Sequence, residues 1–229
     1  MDTGFRKTIG SAGKALVFAG LLLVAGCDSG IYTNYKILRQ APSVKRFLEP
    51  GARTIIFPVV AKRYDSLGQI TLPRELESII HLEQRQIPLI SFERFLSAAE
   101  DSNVAPYVLE GINEFNENGV LRKRLIERYY QCSVLYEPKF ILICRLDRGE
   151  YYRDLDYEYK KRIFITGRLY DIREAEEVLA FVASSFARDK YKETLPSTNE
   201  LIAAALRTIA KNLPNDPTAS VLLEKREDW

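Results

Sequence analysis

Histidine is almost missing from this 229-residue chain: His81 is the only one. A single imidazole leaves no cluster for a metal and no second histidine for acid–base work, which removes the zinc hydrolases built on several histidines. The chain also has no CxxC, no HExxH, no glycine-rich phosphate loop and no nucleophile elbow, so the recognisable signatures of redox, metalloprotease, nucleotide and serine-hydrolase chemistry are absent. Nor is there an excess of charge. The 33 basic and 31 acidic residues include Arg6, Lys7, Lys14 and Asp2 near the start, and the chain from Cys27 onward carries thirty of each sign. A balanced chain has no global positive field, which argues against a nucleic-acid partner. No repeat or low-complexity block is present. What remains is an ordinary globular composition, 46% hydrophobic and 28% charged, long enough for one good core.

Arg6, Lys7 and Lys14 precede an apolar run at 15–25, the basic and hydrophobic regions of a secretory signal peptide, too short to span a bilayer comfortably. Leu23-Val24-Ala25-Gly26-Cys27 then resembles the bacterial lipobox, in which small residues let a signal peptidase reach the bond before a cysteine. The resemblance implies that 1–26 is removed and that Cys27 becomes the new N-terminus, carrying a diacylglyceryl thioether and an N-acyl chain. At about 0.8 kcal/mol per buried methylene, several chains give stable membrane anchoring. Asp28 after the cysteine resembles an inner-membrane retention signal of enteric bacteria, and the choice between inner and outer membrane stays open.

The segment 27–51 reads as the lipidated cysteine and a tether, broken by Ser29-Gly30, Pro42-Ser43 and Pro50-Gly51, with Tyr32, Tyr35, Ile37 and Leu38 able to dock part of it. Residues 52–213 read as one domain and 214–229 as a tail. Arg53-Thr54-Ile55-Ile56-Phe57-Pro58-Val59-Val60 is a β-branched run that predicts a buried strand. The spacing of Leu76, Ile79, Ile80 and Glu83 predicts a helix over 72–84 with those residues on its inner face. Ile87-Pro88-Leu89-Ile90 reads as a short strand, and Ser91 as the cap of a helix carrying Phe92, Phe95, Leu96 and Ala99. Leu109, Ile112 and Phe115 suggest a helix over 106–115; Leu121, Leu125 and Tyr129 suggest another over 120–131.

The continuous apolar run from Phe140 to Leu146 predicts a central strand. Asp147-Arg148-Gly149-Glu150 supplies turn chemistry before a long alternating segment, with Leu155, Tyr157, Tyr159, Ile163 and Ile165 on one side and Asp154, Asp156, Glu158, Lys160 and Arg162 on the other. A second turn near Arg173-Glu174-Ala175-Glu176 leads to an apolar strand over 178–183, completing a three-strand meander. Ser197-Thr198-Asn199-Glu200 has capping-box spacing for a last helix that Pro214 stops. The fold class expected is an α/β sandwich with a mixed sheet, including a C-terminal antiparallel meander, flanked by helices.

Several of these segments together resemble one bacterial envelope superfamily: Ile55-Ile56-Phe57-Pro58-Val59 after a lipoprotein tether, Phe92-Glu93-Arg94-Phe95-Leu96, Phe140-Ile141-Leu142-Ile143, the run Ile163-Phe164-Ile165-Thr166-Gly167-Arg168-Leu169-Tyr170-Asp171, and Glu177-Val178-Leu179. That superfamily contains the curli secretion channel lipoprotein and the penicillin-binding-protein activator lipoproteins. The likeness covers most of 53–213 through hydrophobic patterns. This chain departs from the usual strand-Asp, Thr-Gly, Glu pattern by placing Arg173-Glu174-Ala175-Glu176 at the turn. The resemblance implies a non-enzymatic α/β lipoprotein.

Three candidate sites follow. Tyr151, Tyr152, Tyr157 and Tyr159, among Arg153, Asp154, Asp156, Lys160 and Lys161, could bind protein or glycan through rigid amphipathic rings, or could be a solvated strand with its tyrosines packed on one face. Cys132 and Cys144 could form a disulfide in an oxidising compartment, or Cys144 could be a buried free thiol within its apolar run. Asp154 and Asp156 could serve as a glycosidase pair, or simply be surface charges. The expected function is a membrane-anchored binding, scaffold or regulatory module with an envelope protein as partner. No cofactor or metal is expected. The alternatives are an accessory subunit of an oligomeric secretion channel and a cell-wall-acting hydrolase. A pore-forming hairpin is disfavoured because charges crowd the polar face and no spare hairpins remain.

Overall fold

The computed structural model describes residues 30–49, 51–61, 75–84, 87–131 and 137–214. The segment 1–26 read as a signal peptide, Cys27, Cys132, residues 72–74 and the tail from 215 onward lie outside the described residues. In chain order the elements are β1 (Ile31–Gln40), a 3-10 helix (Pro42–Leu48), β2 (Arg53–Ile56), β3 (Val60–Ala61), α1 (Glu75–Glu83), β4 (Leu89–Ile90), α2 (Phe92–Asp101), α3 (Ala105–Asn118), α4 (Lys123–Gln131), β5 (Pro138–Arg153), β6 (Tyr159–Asp171), β7 (Glu176–Asp189), a short 3-10 turn (Lys192–Thr194) and α5 (Thr198–Asn212). The strands make one sheet in the order β1-β7-β6-β5-β2-β4, with β3 also on β5. β2 runs parallel to both β4 and β5, while β5, β6, β7 and β1 are each antiparallel to the next. The expected mixed sheet with a C-terminal antiparallel meander and flanking helices is the architecture found.

Strand alternation sends successive side chains to opposite faces, and each face has its own core. On one, Ile56, Leu142, Cys144, Leu146, Ile163, Ile165, Leu169, Phe181 and Ala183 pack under α1, α5 and the first 3-10 helix through Leu76, Ile80, Val44, Phe47, Leu201, Leu206 and Ile209. On the other, Ile55, Phe57, Ile141, Ile143 and Tyr170 pack under α2, α3 and α4 through Phe95, Val108, Phe115, Leu125, Ile126 and Tyr129. Each fully buried side chain of this size contributes about 1.5–3 kcal/mol through removal from water. Local signals agree with this packing. Ser91 caps α2 by accepting from the Arg94 N–H, Ser197 and Glu200 close the expected capping box on α5, and Gly119 ends α3 in the left-handed region with φ +71°, where glycine carries no Cβ penalty.

The boundaries differ from the sequence expectation in four places. The Asp147-Arg148-Gly149-Glu150 segment is not a turn: β5 runs through it to Arg153, with a register shift between Leu146 and Arg148, and the chain reverses at 154–158. Pairing along the whole of β6 outweighs the local turn preference, and the bulge absorbs the extra residue. Within the stretch read as a tether, Ile31–Gln40 is the edge strand β1 on β7. The following 3-10 helix buries Val44 and Phe47 and is fastened by Ser43 to Glu176 at 2.9 Å and by Arg46 to Glu174 at 3.2 Å. Glu83, expected on the inner face of α1, is exposed; Gln84 takes the buried place and donates its amide to the Ala210 and Leu213 carbonyls at the end of α5. On α3 the inward residue is Val108, and Leu109 is 54% exposed. The turn after β6 lacks a glycine, yet Ala175 takes a left-handed φ of +51° there, and the buried Asp171 carboxylate accepts from the Arg173 and Glu174 N–H groups.

Helices α3 and α4 touch at Gly111. A Cβ there would collide with the Tyr129 hydroxyl oxygen, which itself donates to the Tyr107 carbonyl at 3.0 Å. We expect Gly111→Ala to cost about 1–3 kcal/mol in urea unfolding, as overpacking does. The cost should be smaller in a Tyr129→Phe background, where the colliding oxygen is gone. An equal cost in both backgrounds would contradict this account of the contact.

Candidate interaction surface

The two helical layers do not cover the sheet equally. α2–α4 lie over β2, the first half of β5 and the end of β6, and no buried residue of β1 or β7 joins their core. On that side, no helix among the described residues covers the outer half of the meander. Register places its side chains in rows: Tyr32, Phe186, Arg162 and Glu150 in one, then Asn34, Ser184, Phe164 and Arg148, then Lys36, Val182, Thr166 and Arg145. The bulge after Leu146 puts Arg148 and Glu150 on this face.

Rings and guanidinium groups interleave across four strands. Tyr32 stacks on Phe186 at 4.9 Å. The Arg162 guanidinium lies 5.3 Å from both the Phe186 and Phe164 ring centres, and that of Arg148 lies 4.6 Å from Phe164. Such cation–ring contacts contribute about 0.5–1 kcal/mol each at exposed sites, and they hold long side chains flat against the sheet. Tyr32 is exposed, while Phe164, Phe186 and Val182 are half-buried. Ion pairs surround the ladder: Arg148 with Glu150, Arg145 with Asp147, Lys160 with Asp154, and Arg168 and Arg39 with Glu177. Among the described residues Arg162, Lys36 and Arg188 have no carboxylate partner, so the centre of the face is positive.

One border of the face is fixed by a polar clamp on the corner between α3 and α4. Arg145 donates to the Phe115 and Asn116 carbonyls at 3.3 and 3.1 Å, and to Asp147 at 2.6 Å. Thr166 donates to the same carboxylate, also at 2.6 Å. Arg168 reaches the Gly119 carbonyl, and Tyr170 accepts the Leu121 N–H at 3.0 Å. The bonds to Asn116 and Gly119 satisfy carbonyls left over at the end of α3.

The four tyrosines singled out from the sequence do not form one patch. Tyr151 and Tyr159 face the α5 side, stacked at 6.2 Å with Arg153 over Tyr159 and Lys192 over Tyr151. Tyr152, paired across from Lys160, is on the opposite face, continuing the open surface. Tyr157 is in the turn, at φ +60°. The missed residues are Tyr32, Phe164 and Phe186. Their signal was alternation: Phe164 lies between the inward Ile163 and Ile165, and Phe186 between Ser185 and Ala187. Asp154 and Asp156 are in the hairpin turn. The hydrogen bond from Lys160, reinforced by the Leu155 N–H, holds the Asp154 carboxyl below its ordinary range, which makes it a poor proton donor. Among the described residues no group of His, Cys, Asp and Glu could hold a metal ion, and no helix is long and apolar enough to cross a membrane.

Cys144 is a free, fully buried thiol on the α5 side of β5. It lies beside Gly167, where a Cβ would run into the Phe181 ring and come within 2.9 Å of the sulfur. Tyr35 stacks on the same Phe181 ring at 5.2 Å.

No family profile matches the sequence, and no curated protein matches it. Solved structures that superpose on it include the PelC dodecamer from Paraburkholderia phytofirmans, at 10% identity, TM-score 0.42, over 81% of this chain and 100% of that one. Lipoprotein GNA1162 from Neisseria meningitidis matches at 14% identity, TM-score 0.36, over 70% and 99%. The LpoB C-terminal domain from Escherichia coli matches at 9% identity, TM-score 0.39, over 62% and 92%. At these values the likenesses carry no conclusion about activity or partner.

Burial raises the Cys144 thiol above its ordinary 9.0, and raises the Tyr35 and Tyr170 hydroxyls above 10.0. The folded chain therefore keeps these protons where the unfolded chain releases them. Stability is full below the unfolded values and falls as the pH rises past about 9, by up to about 1.4 kcal/mol per pH unit for each group. In urea titrations from pH 8 to 10.5, Cys144→Ala should show a shallower decline above pH 9 than the parent. Parallel declines would refute the assignment to this thiol.

Proposed function

We propose that the chain is a lipid-anchored, non-enzymatic interaction module of the bacterial envelope, and that it holds an envelope protein against the open face of β1, β7, β6 and β5. The observation that carries this reading is the ladder Tyr32, Phe186, Arg162, Phe164, Arg148. Aromatic and arginine side chains are the residue types that dominate protein interfaces. Here they are held flat on a rigid sheet, so little side-chain freedom is left to lose on association. Arg162 at the centre, without a carboxylate of its own, favours an acidic counterpart.

The lipobox-like Leu23-Val24-Ala25-Gly26-Cys27 segment supports a lipid anchor on Cys27. Anchoring raises the local concentration near a membrane-bound partner, so a modest surface suffices without a reactive centre. Asp154, half-buried and paired with Lys160, and Asp156, exposed in the same turn, give no support to a hydrolase.

A photo-crosslinking residue placed at position 164 or 186 in intact cells should yield one discrete adduct with an envelope protein, and the same residue at position 109 on α3 should not. Arg162→Glu should lower affinity for that protein by about tenfold or more, as expected for loss of a central arginine anchor. It should cost no more than about 1–2 kcal/mol of stability, the worth of its two ring contacts, since its side chain is not part of either core. Equal crosslinking at 109 and 164, or unchanged affinity in Arg162→Glu, would sink the reading.

A further inference from the structure

We infer that the tip of the β5–β6 hairpin is a second membrane contact, resting at headgroup depth beside the lipid on Cys27. The inference rests on the lipidation reading above. It begins with covalent reach: Ile31 is four residue steps from Cys27, and a chain spans at most about 3.6 Å per step, so the anchor lies within about 14 Å of the start of β1.

Register then shows what else lies at that end of the sheet. Ile31 pairs with Ala187, Ala187 with Lys161, and Lys161 with Tyr151. From that row β5 and β6 continue two residues further, to the Arg153 and Tyr159 pair, or about 7 Å at strand rise, and the turn 154–158 lies beyond it. Followed backward to Ile31, β1 itself points in this same direction. The turn and the acylated cysteine can therefore meet one plane.

The side chains at this end suit an interface between water and lipid. Half of the exposed large hydrophobic residues among those described are here: Tyr32, Tyr151, Tyr152, Leu155, Tyr157 and Tyr191. Leu155 is 94% exposed and Tyr157 73%. The turn that presents them is built, not slack. The Asp154 N–H donates to the Glu158 carbonyl at 2.8 Å, the Tyr157 N–H to the Asp154 carbonyl at 3.0 Å, and the Asp154 carboxylate accepts from the Leu155 N–H at 2.7 Å. Tyr157 takes a left-handed φ that bulky residues avoid. Around the tip stand Arg153, Lys160, Lys161, Arg188, Lys190 and Lys192 against Asp154, Asp156, Glu158, Asp189 and Glu193. Tyrosines with one polar end, flanked by long cationic stems, are the residues that settle at headgroup level. The three carboxylates of the turn limit the contact to that depth.

The test uses the full, lipidated chain purified from membranes and reconstituted in vesicles of phosphatidylethanolamine and phosphatidylglycerol, with Trp229→Phe removing the natural tryptophan. Leu155→Trp should emit to the blue of Leu109→Trp and lose intensity when the acyl chains are brominated near the headgroup, while Leu109→Trp keeps its intensity. If Leu155→Trp protein floats with the vesicles but its emission is water-like and unquenched, the tip contact is overturned and the anchor stands. If that emission turns blue only when envelope protein is added, without lipid quenching, the tip is a protein contact and the proposal is again overturned. Protein that does not float at all overturns the anchor, and the tip contact with it.

Discussion

Strand β5 is the constraint from which the rest of the molecule follows. It is sixteen residues long, and its first half is sealed on both faces and both edges: Phe140, Ile141, Leu142, Ile143, Cys144 and Leu146 are buried, with β6 on one side and β2 and β3 on the other. Such a segment can only be a continuous apolar run. Past the bulge at Leu146 the strand keeps β6 as a neighbour but loses β2 and β3. The sheet therefore outlasts its helical cover, and the uncovered part is where aromatic and cationic side chains collect.

That continuity explains which features are visible in the sequence. Strand β5, the helices α2, α4 and α5 and the caps of α2 and α5 follow from local patterns, because each has a hydrophobic run or period in the sequence. The hairpin position does not. Asp147-Arg148-Gly149-Glu150 has turn composition, yet Asp147 is engaged by Arg145 and Thr166 within the sheet, so long-range pairing overrides local preference. β1 is obscured for a different reason. An edge strand with one open face has few inward positions, here Ile31, Tyr35 and Ile37, and its remaining residues look like those of a linker.

The interaction surface is less legible still. Tyr32, Arg148, Arg162, Phe164 and Phe186 come from four strands, and only register brings them together. The sequence does mark a cluster of tyrosines at 151–159, but pleating divides it between two faces and a turn. Phe164 and Phe186 are single aromatics inside apolar strands, which reads as core until the missing helical layer is known. By contrast the lipobox-like segment is contiguous, so it is read from the chain alone without any tertiary information.

In the proposed function a lipid on Cys27 sets position and the face of β1, β7, β6 and β5 sets partner. The most direct test is hydroxyl-radical footprinting of the protein in intact envelopes against the purified protein. If the face is the binding surface, Tyr32, Phe164 and Phe186 are oxidised more slowly in the envelope, while Tyr107 and Leu109 on α3 react alike in both. Equal reactivity of the face in both settings would contradict the account.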